Sequence, residues 1–353
     1  MLSEATLNTA KEMCMRKMWK LHIVAMIGFV VLAMLALGSA TQPAAFPEPV
    51  EVATLWINGV PQVLSETSSS AHSVFVSGGD VYVVGEVWEE NSRKATLWVN
   101  GAAQTLSETD SSADAIYVSD NGVFIVGTVG QQRDRRATLW VNNVPQTLSN
   151  SESSARYVFV SGSDVYVVGE VWGAGTSMER LQSRRSVLWV NGVPQAQSLN
   201  DREAWNSVFV SDGNVYVVGV VRGAIGRHQD QRATLWVNGV PRTLSNTESW
   251  ATSVFVSGNN VYVVGPVGPD VSRRATLWAN GVPQTLSNTR SSANSVFIFG
   301  NNIYVSGIIG EDDERRAMLW INGVPQILSG STSAARSVIV SGGAVYVAGW
   351  AER

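Results

Sequence analysis

The chain has 353 residues, 45% hydrophobic and 15% charged, with a formal net charge of −4. This composition supports a large core and excludes a disordered chain, and the mild acidity excludes a nucleic-acid binder, which needs a basic face to neutralise phosphates. The single cysteine, Cys14, lies close to the amino terminus, so no disulfide, thiol chemistry or cysteine-built metal site is expected in the body of the protein.

Lys11, Arg16, Lys17 and Lys20 precede an apolar run from Ile23 to Leu37, and Gly38, Ser39 and Ala40 follow it. Basic, then apolar, then small is the order of a secretory signal, which predicts a signal peptide over 1–40 and an exported product: periplasmic, secreted or on the cell surface. The run is short for a membrane span, which takes about 20 apolar residues. The alternative is an uncleaved leader that anchors the protein, and membrane association is expected through that segment alone. Residues 41–50 carry Pro43, Pro47 and Pro49 and read as an extended linker.

From residue 51 to residue 353 the chain repeats itself. A Leu-Trp-x-Asn-Gly unit places Trp56, Trp98, Trp140, Trp189, Trp236, Trp278 and Trp320 at spacings of 42, 42, 49, 47, 42 and 42. A second unit, close to Ser-Val-Phe-Val-Ser-Gly-x-x-Val-Tyr-Val-Val-Gly, alternates with it and begins at Ser73, Ala115, Tyr157, Ser207, Ser253, Ser295 and Ser337. Each unit predicts a hairpin. Asn58-Gly59 and its counterparts suit a two-residue type I′ turn, in which both positions need positive φ. Ser77-Gly78-Gly79-Asp80 is turn chemistry as well.

Four strands in about 42 residues is the period of a propeller blade. Runs such as Val81-Tyr82-Val83-Val84 are apolar on both faces and need neighbours on both sides, which radially packed blades supply. Pro61, Pro145, Pro194, Pro241, Pro283 and Pro325 recur in the return strand of the Asn-Gly hairpin. Proline cannot donate to a ladder, so this strand is the outer edge, D. From the axis outward the order is A (Val74 onward), B (Val81 onward), C (Leu97-Trp98) and D (Gln104-Thr105). The body begins with a C–D hairpin and ends with an A–B hairpin. The expected fold is therefore all-β: a seven-bladed β-propeller over 51–353, four antiparallel strands per blade, closed where the two terminal hairpins pair. The repeat tryptophans and valine runs form its core.

The tight A–B and C–D turns line one face and read as inert. Variation lies opposite, in the B–C and D–A loops, where two neighbouring repeats are lengthened over 173–183 and 223–231. Long loops on a rigid scaffold concentrate binding. Trp205 and Trp250 fall in D–A loops and Trp172 follows a B strand, so with Arg202, Arg222 and His228 they form the candidate ligand-binding patch. The competing reading packs these rings beneath the long loops. Arg93-Lys94, Arg135-Arg136, Arg184-Arg185, Arg273-Arg274 and Arg315-Arg316 start successive C strands and would form a crown of cations for acidic groups, unless the acids of the same loops pair with them. Hydroxyls such as Ser68-Ser69-Ser70 read as D–A loop residues.

No catalytic residue is assigned. His72 and His228 are the only histidines beyond the leader, no serine sits in a nucleophile elbow, and no phosphate loop is present. Neither cofactor nor metal is expected, and the protein is expected to be a monomer. The repeat pattern resembles bacterial exported propeller-repeat proteins built from the same two units. Val81-Tyr82-Val83-Val84-Gly85 is also similar to the kelch strand, with Gly85-Glu86 where kelch carries two glycines. The resemblance implies fold and export and gives no site residues. The expected function is a non-enzymatic binding module for a protein or glycan on the B–C/D–A face. A polysaccharide-acting hydrolase or lyase with its site at the channel mouth, or a scaffold of an envelope assembly, is the alternative.

Overall fold

The computed structural model describes residues 49–353 apart from 90–91, 177–178, 180–181, 199–200 and 224–230. The leader over 1–40, most of the linker and His228 lie outside the described residues. Among the described residues, no helix is long and apolar enough to cross a membrane.

Seven four-stranded antiparallel sheets make up the fold. Blade 1 runs from its inner strand A (Ser69–Ser77) through B (Asp80–Glu89) and C (Ser92–Val99) to D (Ala102–Thr105). Blade 7 takes A (Ser333–Ser341) and B (Ala344–Glu352) from the end of the chain and C (Glu51–Ile57) and D (Val60–Val63) from its start. The C strand pairs with the B strand from Glu51↔Glu352 to Ile57↔Tyr346, and Val50 and Arg353 exchange both backbone hydrogen bonds beyond it. The ring is thus closed by strand pairing between the termini, with the proline strands outermost, as the sequence implies.

The Asn-Gly turn does two jobs. Asn58 adopts φ 50° and Gly59 φ 80°, the left-handed values of a type I′ turn. The Asn58 Oδ1 also accepts a hydrogen bond from the Val345 N–H at 2.9 Å, and Asn100 does the same for Val81. A second glycine at that position would supply the conformation without the acceptor.

Seven apolar clusters join consecutive blades, and each is built around one repeat tryptophan. Trp140 of blade 2 packs on Ala95 and Leu97 of blade 1, and Trp98 of blade 1 packs on Ala53 and Leu55 of blade 7. Five of these tryptophans are 0% exposed and the other two at most 4%. Serines clip the same interfaces: the Ser111 Oγ accepts from the Ala95 N–H at 2.9 Å and donates to the Thr109 carbonyl.

These serines correct the reading of the D–A loops. The A strand starts at Ser69, not near Val74, so Ser69 and Ser70 are strand residues. The repeat hides this because the strand contains a β-bulge between Ala71 and Ser73. Opposite the bulge stands Gly85. A Cβ there would overlap the Ser70 carbonyl oxygen, so this position is glycine in every blade. The bulge turns the extra residue out of the ladder, and that extra residue is what equips the channel.

Candidate functional site

The seven inner strands stand side by side around a central channel, and the bulge delivers one side chain from each blade into it. His72, Asp114, Arg156, Asn206, Asn294 and Arg336 are the residues skipped by the bulges in six blades. Thr252 holds the place in blade 5, whose regular A strand begins at Ser253. All seven line two connected concavities, an inner one of about 180 Å³ and an open one of about 480 Å³ that share Asp114 and Thr252. No other inner-strand position varies so widely in chemistry among the seven copies.

Below this ring the channel is filled. Phe75, Tyr117, Phe159, Phe209, Phe255 and Phe297 meet their neighbours at centroid distances of 4.4–5.1 Å, and Ile339 completes the circle. The pairs are tilted or edge-to-face, the geometry ring quadrupoles favour. The site is therefore a cup, with a polar wall, an apolar floor and its mouth on the B–C/D–A face.

Four wall residues reach across to the next blade. His72 Nδ1 lies 3.1 Å from the Ala113 carbonyl, Asn206 Nδ2 donates to Ala251 O at 2.8 Å, Thr252 Oγ1 to Ala293 O at 2.9 Å and Asn294 Nδ2 to Ala335 O at 2.8 Å. The three charged members behave differently. Asp114 sits 3.5 Å from His72 and accepts from Ser112. Arg156 reaches Glu170 at 3.1 Å, a carboxylate only 1% exposed that Arg184 also approaches at 3.7 Å. Arg336 is exposed in the mouth and, among the described residues, forms neither a hydrogen bond nor an ion pair within 4.0 Å. Enclosure by the channel wall draws its pKa down, while Glu86, Asp114 and Glu51 draw it up. It remains a cation.

Tyr157 stands where most blades carry serine and is partly buried in the channel wall. Burial pushes its phenol up to about 12, with the neighbouring Tyr117 adding to the shift. The unfolded chain ionises this group near 10. The folded state keeps the proton longer, so the stabilisation is present below pH 10 and is lost as pH rises toward about 12. A shift of that size corresponds to roughly 2–3 kcal/mol. Urea unfolding between pH 9 and pH 12 should show this loss as a steepening that Tyr157→Phe removes.

Of the six residues expected to form an outer patch, His228 lies outside the described residues, and the other five line no common concavity. Trp205 is not in a loop: it belongs to the A strand of blade 4 (Glu203–Ser211), is 7% exposed and meets Trp236 edge-on at 6.0 Å. It occupies the bulge-flanking position that is alanine in the other blades, such as Ala71 opposite Gly85, and so points into the interface between blades 3 and 4. Trp172 is partly buried under the Arg135 guanidinium, 4.3 Å from its ring centroid, and lines a concavity shared with none of the other four described residues. Trp250 is partly buried, with its N–H bonded to Pro266 O at 3.1 Å. Arg222 is joined to the exposed Arg202 by a backbone hydrogen bond of 2.7 Å.

The arginine crown is locally engaged. Arg93 pairs with Asp110 and Glu86, Arg135 with Glu152, Arg273 with Asp270 and Arg315 with Glu51. Arg136, Arg185 and Arg316 donate to carbonyls of their own loops. Sequence reasoning missed the wall of the cup. The signal was one polar, changing residue in each copy, usually between an alanine and a serine.

Fold and cup together define a β-propeller of seven blades with a channel open at one end. The sequence matches no protein-family model and no curated protein. Among solved structures it is similar to the Pyrococcus horikoshii acylaminoacyl peptidase, at 10% identity and TM-score 0.52 over 78% of this chain. That match covers 48% of the peptidase, so the chain spans about half the length of its structural neighbour. It is also similar to the β-propeller domain of the Trilobed protease from Pyrococcus furiosus, described as having an open velcro topology (10% identity, TM-score 0.48, 81% of this chain and 94% of that one). A third is Trypanosoma rangeli sialidase in complex with sialic acid (9% identity, TM-score 0.41, 82% and 55%). At these identities the likeness is one of fold.

Proposed function

We propose that the protein is a non-enzymatic binding module, exported by its leader, that takes a protein or glycan ligand at the channel mouth on the B–C/D–A face. One observation carries this reading. The repeat is nearly uniform in its turns, core and clips, yet the bulge residue becomes His, Asp, Arg, Asn, Thr, Asn and Arg in turn. A purely structural position would tolerate one solution seven times. Polar side chains converging from every blade on one concavity are the usual makings of a ligand site.

Binding is favoured over hydrolysis by the carboxylates. Glycoside hydrolysis generally needs two that face each other across the substrate. Among the described residues Asp114 is the one acid lining the two connected concavities, while Glu86 and Glu170 are buried behind the wall. The peptidase and sialidase neighbours are compatible with either role for a propeller.

Screening the purified protein on glycan and peptide arrays is the test. Asp114→Ala and Asn206→Ala should each weaken a ligand found there about ten-fold or more, the value of one charged or well-made hydrogen bond. Trp172→Ala and Trp250→Ala should leave it unchanged. The reverse pattern moves the site to the outer loops, and turnover of an arrayed polysaccharide replaces the binding module with an enzyme.

A further inference from the structure

The cup also specifies what kind of ligand it takes, an inference that rests on the channel mouth being the binding site. Several neutral donors of its wall are already engaged. One amide hydrogen each of Asn206 and Asn294 points at the Ala251 and Ala335 carbonyls, and the Thr252 proton lies between Val264 O and Ala293 O, both at 2.9 Å. What these side chains leave for a ligand is one amide hydrogen and the Oδ1 lone pairs of each asparagine, with Asn294 Oδ1 also accepting from Ser292, and the threonine oxygen. Asp114 adds an acceptor-only carboxylate. The acceptors come from blades 2, 4, 5 and 6, so the donors that match them must be spread around the ligand, not gathered at one end.

Against this acceptor wall stands one unpaired cation. Arg156 is engaged with Glu170, whereas Arg336 presents its guanidinium with no partner within 4.0 Å among the described residues. A planar fork of donors matches a carboxylate bidentately. We infer that the channel mouth binds a polyhydroxylated acid of the uronic-acid type, its carboxylate on Arg336 and its hydroxyls donating to Asp114, Asn206, Thr252 and Asn294. An inorganic anion would satisfy Arg336 but meet Asp114 with no hydrogen to offer. A peptide carboxy terminus brings few donors for so many acceptors. The apolar floor of phenylalanines, which with Arg336 lines the inner concavity of about 180 Å³, suits the C–H face of a sugar ring, and the open concavity of about 480 Å³ extends from Asp114 and Thr252 to Asn206.

Calorimetric titration of the purified protein with glucuronate, galacturonate and mannuronate, each beside its neutral hexose, tests this. At least one acid should bind ten-fold or more tightly than its neutral partner. Arg336→Gln should erase that preference and Arg336→Lys should keep part of it. Arg336 is exposed and unpaired, so both variants should unfold at the parent urea midpoint. Equal affinity for acid and neutral sugar, a preference that survives Arg336→Gln, phosphate or propionate competing at the concentrations of the uronates, or no binding of any of the three acids would each overturn the inference. If a ligand is lost with Asp114→Ala yet indifferent to Arg336→Gln, the mouth still binds and only the acid assignment falls. If it is indifferent to both, the site itself is misplaced.

Discussion

Removing the Glu51–Val63 hairpin is expected to abolish cooperative unfolding and leave a protein that aggregates. The hairpin supplies half of blade 7 and belongs to two interfaces at once. Trp56, 0% exposed, packs on Ala317 and Leu319 of blade 6, while Ala53 and Leu55 receive Trp98 of blade 1. Truncating one such tryptophan to alanine costs about 3–5 kcal/mol, and a folded protein commands about 5–15 kcal/mol in all. The deletion also strips the partner from the apolar strand Ala344–Glu352 and opens a nine-residue edge to other chains. The opposite manipulation should stabilise. Val50 and Arg353 form the doubly hydrogen-bonded pair, so Glu51 and Glu352 beside them form the non-hydrogen-bonded pair, in which side chains approach most closely. A disulfide from Glu51→Cys with Glu352→Cys would close a loop of nearly the whole propeller. The chain-entropy argument puts its value at about 6 kcal/mol. The urea midpoint should fall sharply when a reductant is added. A midpoint indifferent to reductant would mean that the ring opens elsewhere first.

That closure was legible because it depends on order alone: which hairpin comes first, which comes last, and where proline sits. The cup was not, because its position depends on one residue of register. Reading the A strand from Val74 leaves His72, Asp114 and Arg156 in loops. The bulge beside Ala71, visible in the sequence only as an obligatory glycine fourteen positions later at Gly85, brings them into the channel wall. The arginine doublets were legible as a ring, and so was pairing within their own loops, as Arg273 has with Asp270, but not the partners, such as Asp110 for Arg93, that come from the loop on the far side of the D strand. Trp205 was misplaced for a related reason. The irregular spacing of the fourth copy hides that it aligns with Ala71 and not with a loop.

Trp205→Ala should therefore cost stability, about 3–5 kcal/mol by urea unfolding, where an exposed aromatic would cost almost nothing. The reason lies in an exchange of volumes between blades 3 and 4. In the other interfaces a leucine after the D strand, such as Leu148, bonds back to the C-strand alanine and fills the cluster beside a second alanine, Ala155. In blade 3 a bulge after Leu188 puts one more residue into the outer strand. Ser198 then makes that backbone bond, and the C-strand alanine is Ser186. A large side chain is missing from one wall, and Trp205 supplies one from the other. The clip is rebuilt to suit: Ser186 Oγ accepts from the Trp205 N–H at 3.1 Å and donates to the Glu203 carbonyl, replacing the serine that Glu203 displaces. Ser198→Leu in the parent should overpack the interface by about 1–3 kcal/mol. Combined with Trp205→Ala, it restores the arrangement of the other blades. The double variant should be more stable than the sum of the two losses predicts, with a coupling of at least about 1 kcal/mol, as expected for residues sharing a cavity. Additive losses would show that Trp205 fills space of its own, and an unchanged midpoint for Trp205→Ala would return the ring to the surface.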